Sequence, residues 1–138
     1  MPEKTKWKFN DNPLVEDENG FFTEMPISSM RMSPFFYWKF AFTKKFATHE
    51  HKIFGDGSPV GASKKDIFKM LTKSSNSVVS CDGYKSSFLE KAYHKYKDDE
   101  HGNFIVIGHP KAMSLYSLEN MNKFLSDKSK TVQAFRKK

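Results

Sequence analysis

Cysteine is nearly absent from this 138-residue sequence, whose only example is Cys81. A single cysteine excludes an internal disulfide framework, and with it the class of small secreted proteins held together by disulfide bonds. Long apolar runs are absent too, since no stretch approaches the roughly 18 apolar residues of a membrane-spanning helix. Residues 1–6 are polar and do not resemble a signal peptide. We therefore expect a cytoplasmic protein, as the chain stands, with no membrane partner.

Lysine and arginine outnumber aspartate and glutamate by 23 to 16, which gives a formal net charge of +7. Such an excess favours anionic partners, including nucleic acids and phosphates. The lysines are nevertheless spread along the chain, apart from a basic tail at 129–138. Binding of single strands needs clustered Lys and Arg beside exposed aromatic side chains. Nucleic acid is therefore the less favoured partner.

Aromatic residues are abundant, with 14 Phe, 5 Tyr and 2 Trp. A chain of this size forms one domain and buries roughly two-thirds of the surface that it exposes when unfolded. The aromatic side chains supply enough apolar area for the core of such a domain. Residues 1–20 are polar and rich in turn-forming residues, so we expect an irregular N-terminal segment. The whole chain, 1–138, is predicted to be a single domain or a partial one.

Proline and capping residues divide the remaining sequence into strands and helices. Ser33 followed by Pro34 predicts a helix start, because serine caps helices and proline suits the first helical position. That helix is aromatic on nearly every side, which indicates burial between layers. A second start signal is the capping box at 87–90, Ser-Phe-Leu-Glu. The predicted order is strand 21–28, helix 33–46, a helix from Ser63, strand 77–81, a helix from Ser87, strand 104–107 and a last helix that includes 115–125.

Strands 77–81 and 104–107 are continuous apolar runs rather than alternating ones. Strands of that kind are typically covered on both faces, as in parallel sheets with helical crossovers. The order of elements then predicts an α/β fold of parallel strand–helix repeats, either part of a (β/α) barrel or a small open sheet. An unpaired edge of such a sheet promotes association. We therefore expect a homo-oligomer or an N-terminal half that covers the edge.

Polar side chains directly follow the predicted strands: Asp82, His109 and the pair Ser28-Ser29. Ligands bind beyond the carboxyl ends of parallel strands, and a histidine beside a carboxylate is suited to proton transfer near neutral pH. Consecutive strand–helix–strand units place their strands side by side. We therefore expect Asp82 and His109 at the same rim, in contact directly or through one water, with the histidine ring open to a cleft.

Both residues also have a structural interpretation. Asp82-Gly83 is a sequence typical of a turn or a helix cap, and His109 precedes Pro110 as a loop residue would. For Asp82 alone the turn is the more typical role. His109 directly ends the most apolar strand, which favours a position at a binding rim.

His49 and His51 suggest a metal hypothesis, because alternate residues of an extended segment share one face. Two histidines without a third ligand are a weak zinc signal, however, and a solvated helix end explains them as well. We therefore expect no metal ligand and no cofactor on this chain, and we assign no role to His94 or His101.

Two of these motifs resemble those of one family. Residues 104–111 (FIVIGHPK), with 114–118 (SLYSL) just after them, resemble the closing strand and helix of polysaccharide deacetylase-like proteins of the chitooligosaccharide deacetylase type. Residues 78–84 (VVSCDGY) are similar to the strand motif that precedes them in that family. The resemblance implies a deformed (β/α) barrel in which His109 is the general acid and Asp82 helps to set the charge of that histidine.

The resemblance extends over residues 20–127, with 22–28 and the helix around 37–39 similar to the family's middle strand and insert. The family's Asp-Asp strand motif and His-x-x-x-His metal motif, which belong to the N-terminal half of the barrel, are not in this chain. The resemblance thus implies the C-terminal half of a metal-dependent deacetylase of N-acetyl sugars, a hydrolase of carbon–nitrogen amide bonds. It would be inactive alone and would hold a divalent metal such as zinc only in a complete domain. The alternatives are a non-catalytic α/β module that binds a glycan or an anionic ligand, and a basic nucleic-acid-binding domain.

Overall fold

The computed structural model describes residues 6–46, 48–55, 63–97 and 103–135, with side chains as far as residue 129. Its strands and α-helices are β1 (Trp7–Phe9), β2 (Phe22–Glu24), β3 (Ser29–Met32), α1 (Pro34–Lys45), α2 (Lys64–Thr72), β4 (Ser75–Val78), α3 (Leu89–Lys97) and α4 (Leu115–Phe135). Between them lie three short 3₁₀ helices, η1 (His49–His51), η2 (Gly83–Phe88) and η3 (Pro110–Ala112). Within the described ranges, no helix combines the length and the apolar composition needed to cross a membrane.

The strands form two antiparallel pairs. β1 pairs with β2, and β3 pairs with β4 in a register that sets Ser29 opposite Val78. The predicted mixture of helices and strands is therefore confirmed, but the described strands do not form parallel strand–helix repeats and close no barrel. The direction of β4 follows from the connection, because two helices separate it from β3. The two helices pack on each other, and the start of β4 at Ser75 lies opposite the end of β3 at Met32.

One parallel pairing continues this sheet beyond β4 in the described part of the chain. The N–H of Cys81 donates to the carbonyl of Ile107 at 3.0 Å, and the N–H of Ile107 donates to the carbonyl of Val79 at 3.2 Å. Only one α-helix, α3, separates the two segments, so the chain crosses over and pairs in the same direction. The predicted strand 104–107 is thus reduced to a single bridge, yet its direction is the expected one.

The N-terminal segment is more ordered than the sequence suggested, since β1 lies inside the region predicted to be irregular. Its pairing with β2 depends on Gly20, where a Cβ atom would lie only 2.4 Å from the backbone nitrogen of Phe9. Only Phe22–Glu24 of the predicted strand 21–28 forms a strand, and the next strand, β3, starts at Ser29, just past the predicted end. Pro26, which has no N–H to donate to a sheet, lies between β2 and β3.

Two predicted helix starts are confirmed. The Ser33 hydroxyl accepts a hydrogen bond from the N–H of Phe36 at the start of α1. The Ser63 hydroxyl likewise accepts from the N–H of Asp66 at the start of α2. These caps are local interactions, so the sequence alone is sufficient to locate them.

The predicted capping box at 87–90 is wrong. The chain already winds as η2 when it reaches Ser87, whose hydroxyl donates to the carbonyl of Tyr84, and α3 begins only at Leu89. At the other end of the described chain, α4 continues to Phe135, so residues 129–135 of the predicted basic tail extend a helix, and the rest of that tail lies outside the described residues.

The core lies where α1 and α3 pack on the sheet of β3 and β4. Its buried members are Met30, Met32, Phe36, Tyr37, Val79, Cys81, Leu89 and Ala92. Burial of α1 on nearly every side was a wrong prediction, because this helix meets the core through one face only. Its buried residues are Phe36 and Tyr37, whereas Phe35, Trp38 and Phe42 are exposed.

Candidate active site

The parallel pairing brings two sequence-predicted residues to the same end of the sheet. Ser80 and Ile107 are partners in the pairing, and Asp82 and His109 each lie two residues after one of them. Gly108 permits a close approach here, since a Cβ atom at this position would lie 2.5 Å from the Cys81 Sγ. The two segments therefore end side by side and deliver Asp82 and His109 to one rim.

Asp82 and His109 contact each other through two hydrogen bonds. The backbone N–H of His109 donates to Asp82 Oδ1 at 2.7 Å, and His109 Nδ1 lies 2.7 Å from Asp82 Oδ2. An ionised carboxylate has no proton to donate, so Nδ1 carries the hydrogen in this contact. The second ring nitrogen, Nε2, is left to accept or release a proton. The predicted direct contact is confirmed, while the catalytic role of the pair stays a prediction.

Exposure differs between the two partners in a way that suits their arrangement. The side chain of His109 is 55% exposed and that of Asp82 is 18% exposed. The carboxylate is thus held inside while the imidazole faces outward. Buried carboxylates that orient an exposed histidine are a recurring arrangement in acid–base sites, because the carboxylate fixes the tautomer and stabilises the charged ring.

The structure combines a turn and a side-chain contact with His109 at Asp82-Gly83. The segment is a turn, as Gly83 has a positive φ of 42° and starts η2. The Asp82 side chain, however, makes no capping hydrogen bond to η2. Its two oxygens bond to His109 instead. The turn is therefore made by the backbone, and the carboxylate is directed to the histidine.

Opposing effects act on the pKa of Asp82. Partial burial raises the pKa, whereas the hydrogen bonds from the backbone and ring of His109, and one from the Ser80 hydroxyl, lower it. The net result is a pKa below the ordinary value for aspartate. The carboxylate consequently stays ionised at neutral pH, as the contact with Nδ1–H requires.

Two other candidate residues have structural roles. Ser28 is buried, and its hydroxyl accepts a hydrogen bond from the N–H of Ile105 at 2.9 Å. The backbone of Ser29 is held by the Tyr96 hydroxyl, which accepts from its N–H and donates to its carbonyl. These bonds hold the sheet together and give neither serine a contact with Asp82, so the Ser28-Ser29 pair is not part of the site.

A cavity of about 600 Å³ adjoins the acid–base pair on the Asp82 side. One wall comes from the end of α1, including Phe40 and Lys44, and another from η1 and the residues after it. Asp82 and the first residues of η2, among them Tyr84, complete the lining. His109 is not a lining residue, so the expected cleft is reached through Asp82 and the histidine lies beside it.

The wall that carries η1 is held in place by an antiparallel contact between residues 53–55 and 111–114. The N–H of Phe54 donates to the carbonyl of Met113 at 2.9 Å, and the N–H of Gly55 donates to the carbonyl of Lys111 at 3.1 Å. Gly55 is required for this approach, since a Cβ atom there would lie 2.6 Å from the Lys111 Cβ. The contact joins the residues after η1 to η3, which immediately follows His109.

Sequence reasoning missed an aromatic group at this wall. The ring of His51 lies 4.2 Å from that of Tyr116, and Tyr116 stacks on Tyr84 with a centroid distance of 6.2 Å. Tyr84 belongs to the quoted motif 78–84, and its position two residues after Asp82 was the signal that could have identified it. Tyr116 had no comparable signal, because only the fold brings it to His51.

The histidines of η1 do not form a metal site in the described residues. They lie in a 3₁₀ turn instead of an extended segment, so His49 and His51 do not share a face, and His51 packs on Tyr116. Across residues 6–46, 48–55, 63–97 and 103–135, no group of three His, Cys, Asp or Glu side chains has a geometry suited to a metal ion. The side chains present in these ranges therefore do not fit a metal centre.

Cys81 directly precedes Asp82, but its thiol is poorly suited to nucleophilic chemistry. The thiol is buried, and its pKa is raised, chiefly by that burial and further by the neighbouring Asp82 carboxylate. A buried thiol with a raised pKa is a poor nucleophile.

Comparison of the whole chain with protein-family models, curated proteins and solved structures finds no match.

Proposed function

We propose that this chain carries the acid–base part of a carbohydrate deacetylase site and corresponds to the C-terminal portion of a deformed (β/α) barrel. The observation that carries the proposal is the contact between Asp82 and His109 at one rim, beside a cavity. The parallel pairing of the two segments that precede these residues supports the relation to part of a barrel. The activity is hydrolysis of the N-acetyl amide of a sugar.

The arrangement suits His109 for proton donation to a leaving amine. In hydrolysis of an N-acetyl group, water adds to the carbonyl carbon, the carbon–nitrogen bond breaks, and the amine leaves with a proton. A protonated His109 supplies that proton from Nε2 and becomes neutral. Asp82 holds Nδ1–H throughout and stabilises the charged imidazole before the transfer. The products are acetate and the free amine of the sugar.

The proposal places no metal on the described residues of this chain. The resemblance assigns the metal ligands and the catalytic base to an N-terminal half of the barrel, and the described side chains include no suitable cluster. We therefore expect no deacetylation by this chain alone. What the chain provides by itself is a binding surface and an oriented imidazole, and both are accessible to direct measurement.

The size and lining of the cavity support a saccharide as ligand. Its volume of about 600 Å³ falls within the range typical of small-molecule sites. Phe40 and Tyr84 line it, and aromatic faces pack well against the apolar faces of sugar rings. Asp82 both lines the cavity and contacts His109, so an N-acetyl sugar bound in the cavity would lie next to the histidine.

Nuclear magnetic resonance of the ¹⁵N-labelled histidine rings tests the proposal. With the N-acetylglucosamine trimer as ligand, we expect the ring resonances of His109 to shift, and the neutral ring to show hydrogen on Nδ1. His94 is the internal control, since it lies exposed on α3 and pairs with Glu90. The variant Asp82→Asn should change the tautomer of His109 and leave His94 unaffected.

Two outcomes would contradict the proposal. A trimer that shifts neither His109 nor the lining residue His51 would remove the saccharide site. A trimer that shifts His51 while His109 stays unchanged would favour the alternative, a non-catalytic module that binds a glycan.

A further inference from the structure

Among the described residues that line the cavity, positive charges outnumber negative ones. Lys44, Lys52 and Lys85 line it, and Asp82 is the one carboxylate among the described lining residues. Both oxygens of Asp82 are already engaged, one by the backbone N–H of His109 and the other by its ring. The carboxylate is therefore committed to the acid–base pair and is not the direct partner of a lysine.

Lys85 shows this excess most clearly. Burial lowers the pKa of its ammonium group, and the nearby negative charge of Asp82 only partly opposes the shift. In the part of the chain that the structure describes, the ammonium group makes no hydrogen bond and no ion pair. A partly desolvated cation without a partner is unfavourable, and an anion in the cavity would relieve it.

An aromatic surface lies next to this charge. Tyr84 immediately precedes Lys85, and its ring stacks on Tyr116, which also packs on His51. Burial raises the pKa of the Tyr84 hydroxyl, with a further contribution from Tyr116, so the ring stays neutral. A ligand that combines a ring with an anionic group can therefore contact Tyr84 and Lys85 together.

We propose that the cavity binds the anionic group of an acidic saccharide, with Lys85 as its principal contact and Lys44 and Lys52 beside it. The shared chemistry is an oxyanion carried on a sugar ring, either the carboxylate of a uronic acid or the phosphate of a sugar phosphate. The saccharide part rests on the proposed function. The anion part rests on the lysines and on the engagement of Asp82 by His109, and it does not require that His109 act as an acid.

Calorimetric titration of the full chain at fixed, low ionic strength tests this inference. The probes are glucuronic acid, glucose 6-phosphate, inorganic phosphate and neutral N-acetylglucosamine. We expect one or both of the acidic sugars to bind more tightly than the neutral sugar and more tightly than phosphate alone. Added salt should weaken the binding, because the attraction is between charges. The acidic sugar that binds more tightly identifies the source of the anion.

Variants of Lys85 assign the contact. Lys85→Met keeps most of the side-chain volume and removes the charge, so it should weaken binding of the acidic sugar by about tenfold or more. Lys85→Arg keeps the charge and should retain most of the binding even if Lys85→Met proves unstable. Lys123→Met is the matched control, since Lys123 is exposed on α4 and should bind like the unmodified chain.

The results that would overturn the inference are distinct from those that bear on deacetylation. The inference would be refuted if the neutral sugar or phosphate alone bound as tightly as the tighter of the two acidic sugars. It would also be refuted if Lys85→Met bound that sugar as tightly as Lys123→Met does. Anion binding together with a His109 ring that does not respond to the trimer would support this inference and contradict the deacetylase proposal. A His109 ring that responds to the trimer, without anion binding, would support the deacetylase proposal and contradict this inference.

Discussion

Asp82 shows how a single residue can connect structure and chemistry at this site. Its backbone, with Gly83, turns the chain into η2, while its side chain bonds twice to His109. The residue is thus partly buried and fully satisfied, and it leaves Nε2 of the histidine open. The turn itself does not require an aspartate, because it is made by the backbone of residues 82 and 83. A carboxylate at this position orients the imidazole and favours its charged form.

The lowered pKa of Asp82 has a consequence for stability against pH. Since the carboxyl is more acidic in the folded chain than in the unfolded one, its stabilisation is present above the unfolded pKa of about 4 and is lost as the pH falls through the folded value. We expect Asp82→Asn to lower the free energy of unfolding by about 1–2 kcal/mol at pH 7, and the difference from the unmodified chain to shrink below pH 4.

Urea unfolding at pH 7 and at steps between pH 5 and pH 2 measures this difference. Asp127→Asn is a suitable control, because Asp127 is exposed on α4. A gap between Asp82→Asn and the unmodified chain that stays constant down to pH 2 would show that the stabilisation does not come from the ionised carboxylate.

At the scale of elements, α4 begins with a reciprocal pair of buried serines. The hydroxyl of Ser117 accepts from the N–H of Ser114 at 2.8 Å and donates to its carbonyl at 2.9 Å, while the hydroxyl of Ser114 accepts from the N–H of Ser117 at 3.3 Å. This is a capping box in which serine replaces the usual Glu or Gln. Both side chains are fully enclosed, so water cannot replace either partner.

We therefore expect Ser117→Ala to destabilise the chain by about 1–2 kcal/mol, because it leaves a buried N–H without its acceptor. Thermal unfolding followed by circular dichroism provides the measurement. Ser126→Ala, at an exposed position of the same helix, should be neutral or slightly stabilising, since alanine favours helix. Equal losses for the two variants would mean that the effect comes from helix propensity or general packing and not from the cap.

The elements that could be predicted from sequence are those set by neighbouring residues. Ser33 and Ser63 locate two helix starts because each cap bonds to an N–H three residues away. The direction of β4 could not be found in this way, because it depends on how two helices pack. The pairing of Asp82 with His109 was predictable, since both follow apolar segments that are joined by one helix. The meeting of His51 with Tyr116 was not, because it depends on backbone pairing between distant segments.

At the scale of the whole molecule, a large aromatic surface remains uncovered in the described residues. Trp38, Phe42 and Phe46 lie exposed along α1, and Phe68 is exposed on α2. Contiguous apolar patches are uncommon on monomeric proteins. We therefore still predict a homo-oligomer or an N-terminal half that covers this chain. The reason is the exposed aromatic surface and not an open edge of a parallel sheet.

Sedimentation velocity over a range of concentrations examines this expectation. We expect the chain alone to associate as its concentration rises. A variant with Phe42→Gln and Phe46→Gln should associate less at the same concentration, because it removes two exposed rings without touching the core. A chain that sediments as a monomer at every concentration would contradict the prediction.

Ser28 connects parts of the chain that are far apart in sequence. Its carbonyl accepts from Val79 at 2.7 Å, and its hydroxyl accepts from the N–H of Ile105, which lies 77 residues further along the chain. Loops of this length close slowly, and domains dominated by such contacts fold in milliseconds to seconds. The bonds of Ser28 should accordingly form late, after the helices. In stopped-flow measurements we expect Ser28→Ala to accelerate unfolding and to leave the rate of refolding nearly unchanged, whereas slower refolding would place this junction in the folding nucleus.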